Sequence, residues 1–472
     1  MERPESWFFS ALLSVSFLLS CLLFSHINRQ QRQPYMDEWF HVPQAQQYCG
    51  GRFRQWDPMI TTLPGLYLVS VGLLKPAAWL FGWSQDVACS TGMLRFVNLL
   101  FGIGNLYILY LLIYKIHHKN KAASWLQRIL SSLTLSMLPP LYFCTFLYYT
   151  DSGSTFFTLF MYLMSLYDKH TIAAVLGFCA FMFRQTNIVW IVFCAGSLVA
   201  GKLTEAWKIE LSKKKDEKVS TSWGSLPKTI KGLKFLVRYL MSFNNVKMLL
   251  VLTWPYAFLV LVFFGFLVFN GGIVVGDKSN HKACLNFPQL FYFFSFTLFF
   301  SFPYLVSPWK ISNFLQSVWR RPVYYILLTV VFLLLVCKFT YVHKYLLADN
   351  RHYTFYIWQR IFQRHELVKY ALVPGYIFAG WSFTDSLKSK PIFWNLMFFA
   401  CVFVATIPQK LLELRYFILP YIIYRLNIPL PSVPRQLLQM GLFVVVNALT
   451  VYLFLNKTFQ WPNSEDIQRF MW

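Results

Sequence analysis

Long apolar runs separated by short polar ones set the pattern of this chain. The first run, residues 7–25, has about the length needed to cross a bilayer core of roughly 30 Å. MERPES before it and HINRQQRQ after it do not have the form of a cleaved signal peptide, so the run predicts an anchored span. Runs at 94–114, 129–147, 155–168, 171–183, 186–200, 248–269, 288–306, 322–337, 369–383, 391–407, 411–425 and 437–455 predict more, giving roughly 12–14 transmembrane helices. Composition agrees: 57% hydrophobic, 20% aromatic and 13% charged residues exclude a water-soluble globule. The expectation is an all-α polytopic membrane protein forming a single membrane-embedded domain over 1–472.

Charge then orients the spans. The formal charge of +24 does not point to nucleic acid, because most of the basic residues fall between apolar runs. The stretches 115–128, 201–247, 310–321 and 388–390 are all basic, and the positive-inside rule places them in the cytosol. All four reach that side only if 64–83 is not a crossing. Pro64, Lys75 and Pro76 support this, since they are costly in a spanning helix and tolerable in an interfacial one. Residues 26–93 then form one large non-cytosolic loop with interfacial helices, and 148–154, 270–287 and 338–369 lie on that same side. The last is unexpectedly basic there, which suits either an anionic ligand or lipid headgroups. The nine cysteines form no CxxC pair, and Cys49 and Cys89 share the large loop, where a disulfide is allowed without being specified.

The chemistry concentrates in a few polar segments. YMDEWFHVPQAQQY, residues 35–48, follows the first span and carries adjacent carboxylates, Asp37 and Glu38. Neighbouring carboxylates repel when both ionise, and burial opposes the charge further, so a raised pKa and a proton-accepting role are expected. An aspartate opening a helix reads equally as an N-cap, and the dipeptide alone does not choose. His41 stands four residues after Asp37, on one helix face with it. DExxH lacks the second histidine of the zinc helix motif, and no other cluster completes a site, so no metal or other cofactor is expected.

Tyr149 and Asp151 follow a span, Arg184 and Gln185 separate two apolar runs, and ADNRHYTFYIWQR holds Arg351, His352 and Tyr353. Glu413 and Arg415 fall inside a run, two apart and so on different faces of a helix, where they are not expected to pair with each other. Arginine's planar fork suits phosphate, making Arg184, Arg351 and Arg415 candidates for a clamp, with interfacial snorkelling as the other reading.

In order along the chain, MDEWFHVPQAQQYCGG, WDPMITTLPGLYL, FLYYTDSGS, FMFRQTNI, LLADNRHYTFYIW, LELRYFILPY and NKTFQWP resemble a glucosyltransferase family of the endoplasmic reticulum. That family adds the terminal alpha-1,2-linked glucose to the dolichol-linked oligosaccharide, and the resemblance covers essentially the whole chain. It implies a GT-C-type glycosyltransferase in the endoplasmic-reticulum membrane, multi-pass, with a lumenal active site; loops 26–93 and 338–369 would then be lumenal. It also implies a dolichyl-phosphate glucose donor, a dolichyl-diphosphate oligosaccharide acceptor already bearing two glucoses, contact with membrane lipids, and no required metal.

From those substrates, a beta-linked glucosyl phosphate that becomes an alpha-glucoside inverts in one in-line displacement, which needs one base and no general acid. Asp37 is the expected base, with Glu38 as its stand-in. Arg351, His352, Tyr353, Arg184 and Arg415 are expected at the donor phosphate, whose departing charge calls for cations. His41, Gln44, Tyr149, Asp151 and Gln185 are expected at the acceptor or the sugar. A transporter or ion-channel accessory protein is the alternative, weakened by the absence of matching halves with broken helices.

Overall fold

The computed structural model describes residues 3–117, 123–216, 228–278, 283–463 and 465–472. Residues 118–122 of the basic stretch 115–128, 217–227 of the stretch 201–247 and 279–282 of the loop 270–287 lie outside the described residues. The chain is an all-α polytopic membrane protein. Among the described residues six helices are long and apolar enough to cross a bilayer: Pro4–Gln30, Thr91–His117, Gln185–Lys213, Phe243–Asn270, Pro322–Phe339 and Val433–Asn456. Gly65–Phe81, His170–Phe183, Pro288–Phe300 and Ile392–Thr406 are shorter apolar helices.

Burial separates lipid-facing helices from central ones. The most apolar stretches of Pro4–Gln30 and Pro322–Phe339 are only 11% buried, against 61% for Thr91–His117. Side chains such as Leu22, Leu261 and Leu334 stand exposed, an arrangement that is stable where lipid rather than water surrounds them. At the centre, Thr150–Leu166 packs between Thr91–His117 and His170–Phe183, while Ile188–Asp216 packs on Ile392–Thr406. Aromatic rings fill the gaps, with Phe383 stacked on Tyr424 at 4.1 Å and Phe291 on Phe332 at 4.3 Å.

Several expected spans are broken. The run 129–147 divides into Trp125–Ser136 and Pro139–Cys144, because Pro139 and Pro140 have no N–H to continue the first helix. The run 288–306 divides at Ser301 into Pro288–Phe300 and Phe302–Leu305, with Pro303 just beyond the break. The run 411–425 begins in extended backbone at Glu413, passes through the 3-10 turn Leu414–Phe417 and becomes α-helical only over Ile418–Asn427. Pro420 falls in that helix's first turn, where a missing N–H leaves nothing unsatisfied.

Residues 64–83 fold as the helix Gly65–Phe81, with Leu66, Tyr67, Ser70, Val71 and Leu74 buried along it and Trp79, Leu80 and Phe81 exposed at its end. A Cβ at Gly65 would stand 2.6 Å from the Met182 carbonyl, so this approach requires glycine. Cys49 and Cys89 form a disulfide across 40 residues of the same region.

The polar segments sort to two ends of the bundle. At one end Gln185 donates to the Thr61 carbonyl at 3.0 Å, Asn98 to those of Leu147 and Tyr149, and Tyr35 is bonded to the Arg469 backbone. At the other end Gln127 donates to the Pro431 carbonyl, the His117 ring bonds the Leu426 carbonyl and Lys390 donates to Asn427. After the last long helix, Phe459–Gln460 pairs antiparallel with Ile467–Gln468, and the chain then runs beside residues 351–353.

Candidate functional site

Asp37 opens the helix Glu38–Cys49, and the turn that delivers it is strained: Met36 adopts φ 55, a left-handed conformation unusual for a side chain of its size. The Asp37 side chain makes no cap hydrogen bond. Its Oδ2 accepts instead from Arg415 Nη1 at 3.1 Å, while its backbone N–H donates to the Tyr149 hydroxyl at 3.3 Å. The helix end therefore presents this carboxylate rather than consuming it, and 41% of the side chain remains exposed.

Glu38 meets the opposite fate. It is fully buried against fully buried Arg95, whose Nε reaches Oε1 at 2.8 Å and whose Nη2 reaches Oε2 at 2.5 Å. The Tyr148 N–H donates to Oε1 at 2.6 Å and the Tyr35 N–H to Oε2 at 2.9 Å. Arg95 further ties down the Gln31 and Gln33 carbonyls. The chain just after the first span, the start of the Asp37 helix and the Tyr148–Tyr149 turn are thus fastened to one guanidinium. Glu38 stands in this anchor with no exposed surface, unlike its neighbour Asp37. Arg95 was not found from the sequence, since it looks there like one more basic residue near a helix start.

The expectation of a raised Asp37 pKa is overturned. The two carboxylates do not confront each other, because each turns toward its own arginine. Burial works against the charged form of Asp37, but Arg415, His41 and His352 outweigh it and hold the carboxyl below its ordinary range. His41 is pushed down from its own usual value, first by burial and then by Arg415 and Arg184, against the pull of Asp37. Its Nδ1 lies 2.5 Å from the Tyr67 hydroxyl.

Arg415 is the hub of the site. It binds Asp37 and, at 2.9 Å, Glu413; it lies 3.7 Å from Asp151 and 5.2 Å from the centre of the Tyr149 ring, and its Nε is buried without a partner. Glu413 and Arg415 do pair, contrary to the helix-face expectation, because the backbone between them is extended and 3-10 rather than α-helical. Arg184 completes the group, donating to Thr150 at 2.9 Å and Asp151 at 3.1 Å. Three carboxylates here face two guanidiniums.

The segment that carries Arg351 approaches from another side. Arg351 binds Asp349 through Nε and Nη2, both at 2.8 Å, and lies over the Trp461 ring. Burial disfavours the Asp349 charge, yet these bonds and His352 hold its carboxyl below the ordinary range. His352 bonds the Trp472 carbonyl at 2.9 Å and lies close enough to help stabilise Asp37.

Several of the expected site residues are engaged within the protein. Tyr353 is bonded through its backbone to Met471, with its ring against Trp472. Gln44 spends its amide on the chain at 55–57, donating to the Gln55 carbonyl and accepting from the Asp57 N–H. Gln185 holds Thr61. Asp37, Arg415, Tyr149, Asp151, Arg184 and His41 come together, with His352 at their edge; Glu38, Gln44, Gln185 and Tyr353 support the segments that carry them.

Comparison with known proteins gives a consistent result. The family model described as the DIE2/ALG10 family matches residues 31–426. A mouse protein named Dol-P-Glc:Glc(2)Man(9)GlcNAc(2)-PP-Dol alpha-1,2-glucosyltransferase is 66% identical over 100% of both chains. A human protein of the same name is 65% identical over 100% of both, and a Drosophila melanogaster one is 36% identical over 99% of both. No solved structure matches the chain.

Proposed function

The chain belongs to the DIE2/ALG10 family, and from that membership we infer that it is a dolichyl-phosphate-glucose-dependent alpha-1,2-glucosyltransferase. It transfers glucose to the dolichyl-diphosphate-linked oligosaccharide that already bears two glucoses. The transporter or channel-accessory reading has no support from the relatives. The finer assignments below are our proposal: the site faces the lumen of the endoplasmic reticulum, and Asp37 is the base. The Cys49–Cys89 disulfide, within the large loop that carries Asp37, supports the lumenal reading, because disulfides persist in oxidising compartments.

One observation carries the catalytic assignment. Asp37 is an ionised, partly exposed carboxylate that neither caps its helix nor serves the buried anchor. As the acceptor 2-hydroxyl attacks the anomeric carbon, the new C–O bond forms opposite the breaking bond to phosphate, and Asp37 takes the hydroxyl proton. A carboxylate held low by Arg415 is a weak base at rest. Proton transfer therefore comes late, once bonding to carbon has made the hydroxyl acidic.

The expected arginine clamp divides into two roles. Arg415 and Arg184 face more carboxylates than they can neutralise, so that cluster repels a further anion. Arg351 and His352 share the single acid Asp349, within a loop that also carries Lys338, Lys344, Arg360, Arg364 and Lys369. The donor phosphate is assigned to this loop, where its departing charge meets the surplus of Lys338, Lys344, Arg360, Arg364 and Lys369 over Glu366.

The experiment is glucose transfer by purified protein in detergent, supplied with dolichyl-phosphate glucose and the diglucosylated lipid acceptor. A product carrying one more glucose, released by an alpha-1,2-specific glucosidase, is expected. Folded protein that transfers nothing from this donor removes the reading.

A further inference from the structure

A cavity of about 730 Å³ opens beside the site, between the chain that follows the first helix and the C-terminal segment. Its volume lies within the range of about 300–1,000 Å³ usual for small-ligand sites. Trp39 forms part of its wall from the first turn of the helix that Asp37 opens, two residues from the proposed base, and its side chain is 54% exposed. Trp461 and Arg351 line it from the other side, so the cavity borders both the helix of the base and the loop proposed for the donor phosphate.

The charges on its wall argue against an anionic occupant. Arg351 is committed to Asp349 and Gln468. Arg469 spends its guanidinium on the Gln31 side chain and on the carbonyls of Gln30, Phe454 and Leu455. The exposed Arg29 and Arg32 are matched in charge by the exposed Glu465 and Asp466 on the same wall. What the wall offers a ligand is therefore two indole rings and the amide-bearing Gln30 and Gln33, which both donate and accept. Flat apolar faces rimmed by neutral amides suit a polyhydroxylated, uncharged chain.

We propose that this cavity is a subsite for the acceptor glycan, holding hexose units behind the one that is glucosylated, with Trp39 as a stacking platform. The assignment rests on the glucosyltransferase reading and deepens it. By stacking the preceding sugars, the cavity lets the enzyme favour a long glycan arm over a short one.

The test compares two synthetic lipid-linked acceptors, one with the complete glucosylated arm and one with only its two terminal glucoses. For Trp39→Ala and for Gln33→Ala, the ratio of kcat/KM for the long acceptor to that for the short one should fall below the wild-type ratio. The fall expected for Trp39→Ala is about three- to tenfold, the weight of one aromatic face. The KM for dolichyl-phosphate glucose should stay at its wild-type value in both variants. An unchanged acceptor ratio in both variants, or a loss expressed as a raised donor KM, overturns the subsite. Wild-type protein that transfers to neither acceptor instead overturns the glucosyltransferase reading itself, so the two failures are distinguishable.

Discussion

Asp37 and Glu38 are consecutive residues with the same functional group, yet one keeps 41% of its side chain exposed beside Arg415 while the other is sealed completely against Arg95. Asp37 has one ion-pair partner, itself shared with Glu413 and Asp151; Glu38 accepts two guanidinium and two backbone hydrogen bonds. The difference lies in what each pair can give up. A carboxylate with spare acceptor capacity and an approach from outside can take a proton, whereas one whose lone pairs are spent inside the protein can only hold segments together. The motif thus sets a partly exposed carboxylate directly beside a sealed one.

Exchanging the acids for their amides tests that division most sharply. Asp37→Asn should lower turnover by roughly 10²–10⁴-fold with folding and substrate binding retained, the share general base catalysis usually contributes. Glucose transfer near the wild-type rate would show that a proton acceptor is not needed at this position. The Glu38–Arg95 pair should respond in stability instead. Glu38→Gln or Arg95→Met, each stranding a buried charge, should destabilise the protein by about 3–5 kcal/mol, read as a lowered thermal midpoint in detergent. A Glu38→Gln protein that melts like wild type but transfers nothing would reverse the two roles.

The pH dependence sharpens the contrast. Because the folded Asp37 pKa lies below its unfolded value, its favourable charge interactions persist above the ordinary carboxylate range and are lost only as pH falls through the depressed pKa. Wild-type turnover should therefore show no loss from Asp37 protonation between about pH 5 and 8. Arg415→Gln removes the main force holding the pKa down, so the acid limb of the rate profile should move upward. An acid limb in the same place for both proteins would mean that Arg415 does not set the charge on Asp37. The smallest effect is expected far from either acid. The sequon Asn456-Lys457-Thr458 ends the helix Val433–Asn456, with the Asn456 amide folded back on the Tyr452 carbonyl. It should carry little or no glycan, and glycosidase treatment should leave the mass unchanged.

Much of the site was legible as residue types and little of it as pairings. The runs of apolar residues gave the membrane class, and the polar interruptions at 37, 151, 184, 351 and 415 fall at one end of the bundle. The pairing of Glu413 with Arg415 was misread because a helical backbone was assumed where the backbone is extended and then 3-10. The Asp37 pKa was misjudged for a related reason: sequence adjacency suggested mutual repulsion, when each carboxylate turns toward a different arginine.

The sequence by itself determined that this chain lies in a membrane and which segments stay polar, because both follow from local hydrophobicity and from the cost of burying charge in lipid. Its ordered motifs also determined the family. Only the tertiary structure decided which acid keeps an exposed face and which is sealed against an arginine. That choice depends on Arg95 and Arg415, residues 57 and 378 positions away along the chain, and on which carboxylate is left facing a space that substrate can enter. Burial and hydrogen-bond satisfaction are properties of the assembled neighbourhood, and a dipeptide of two acids carries no record of the neighbours each will meet.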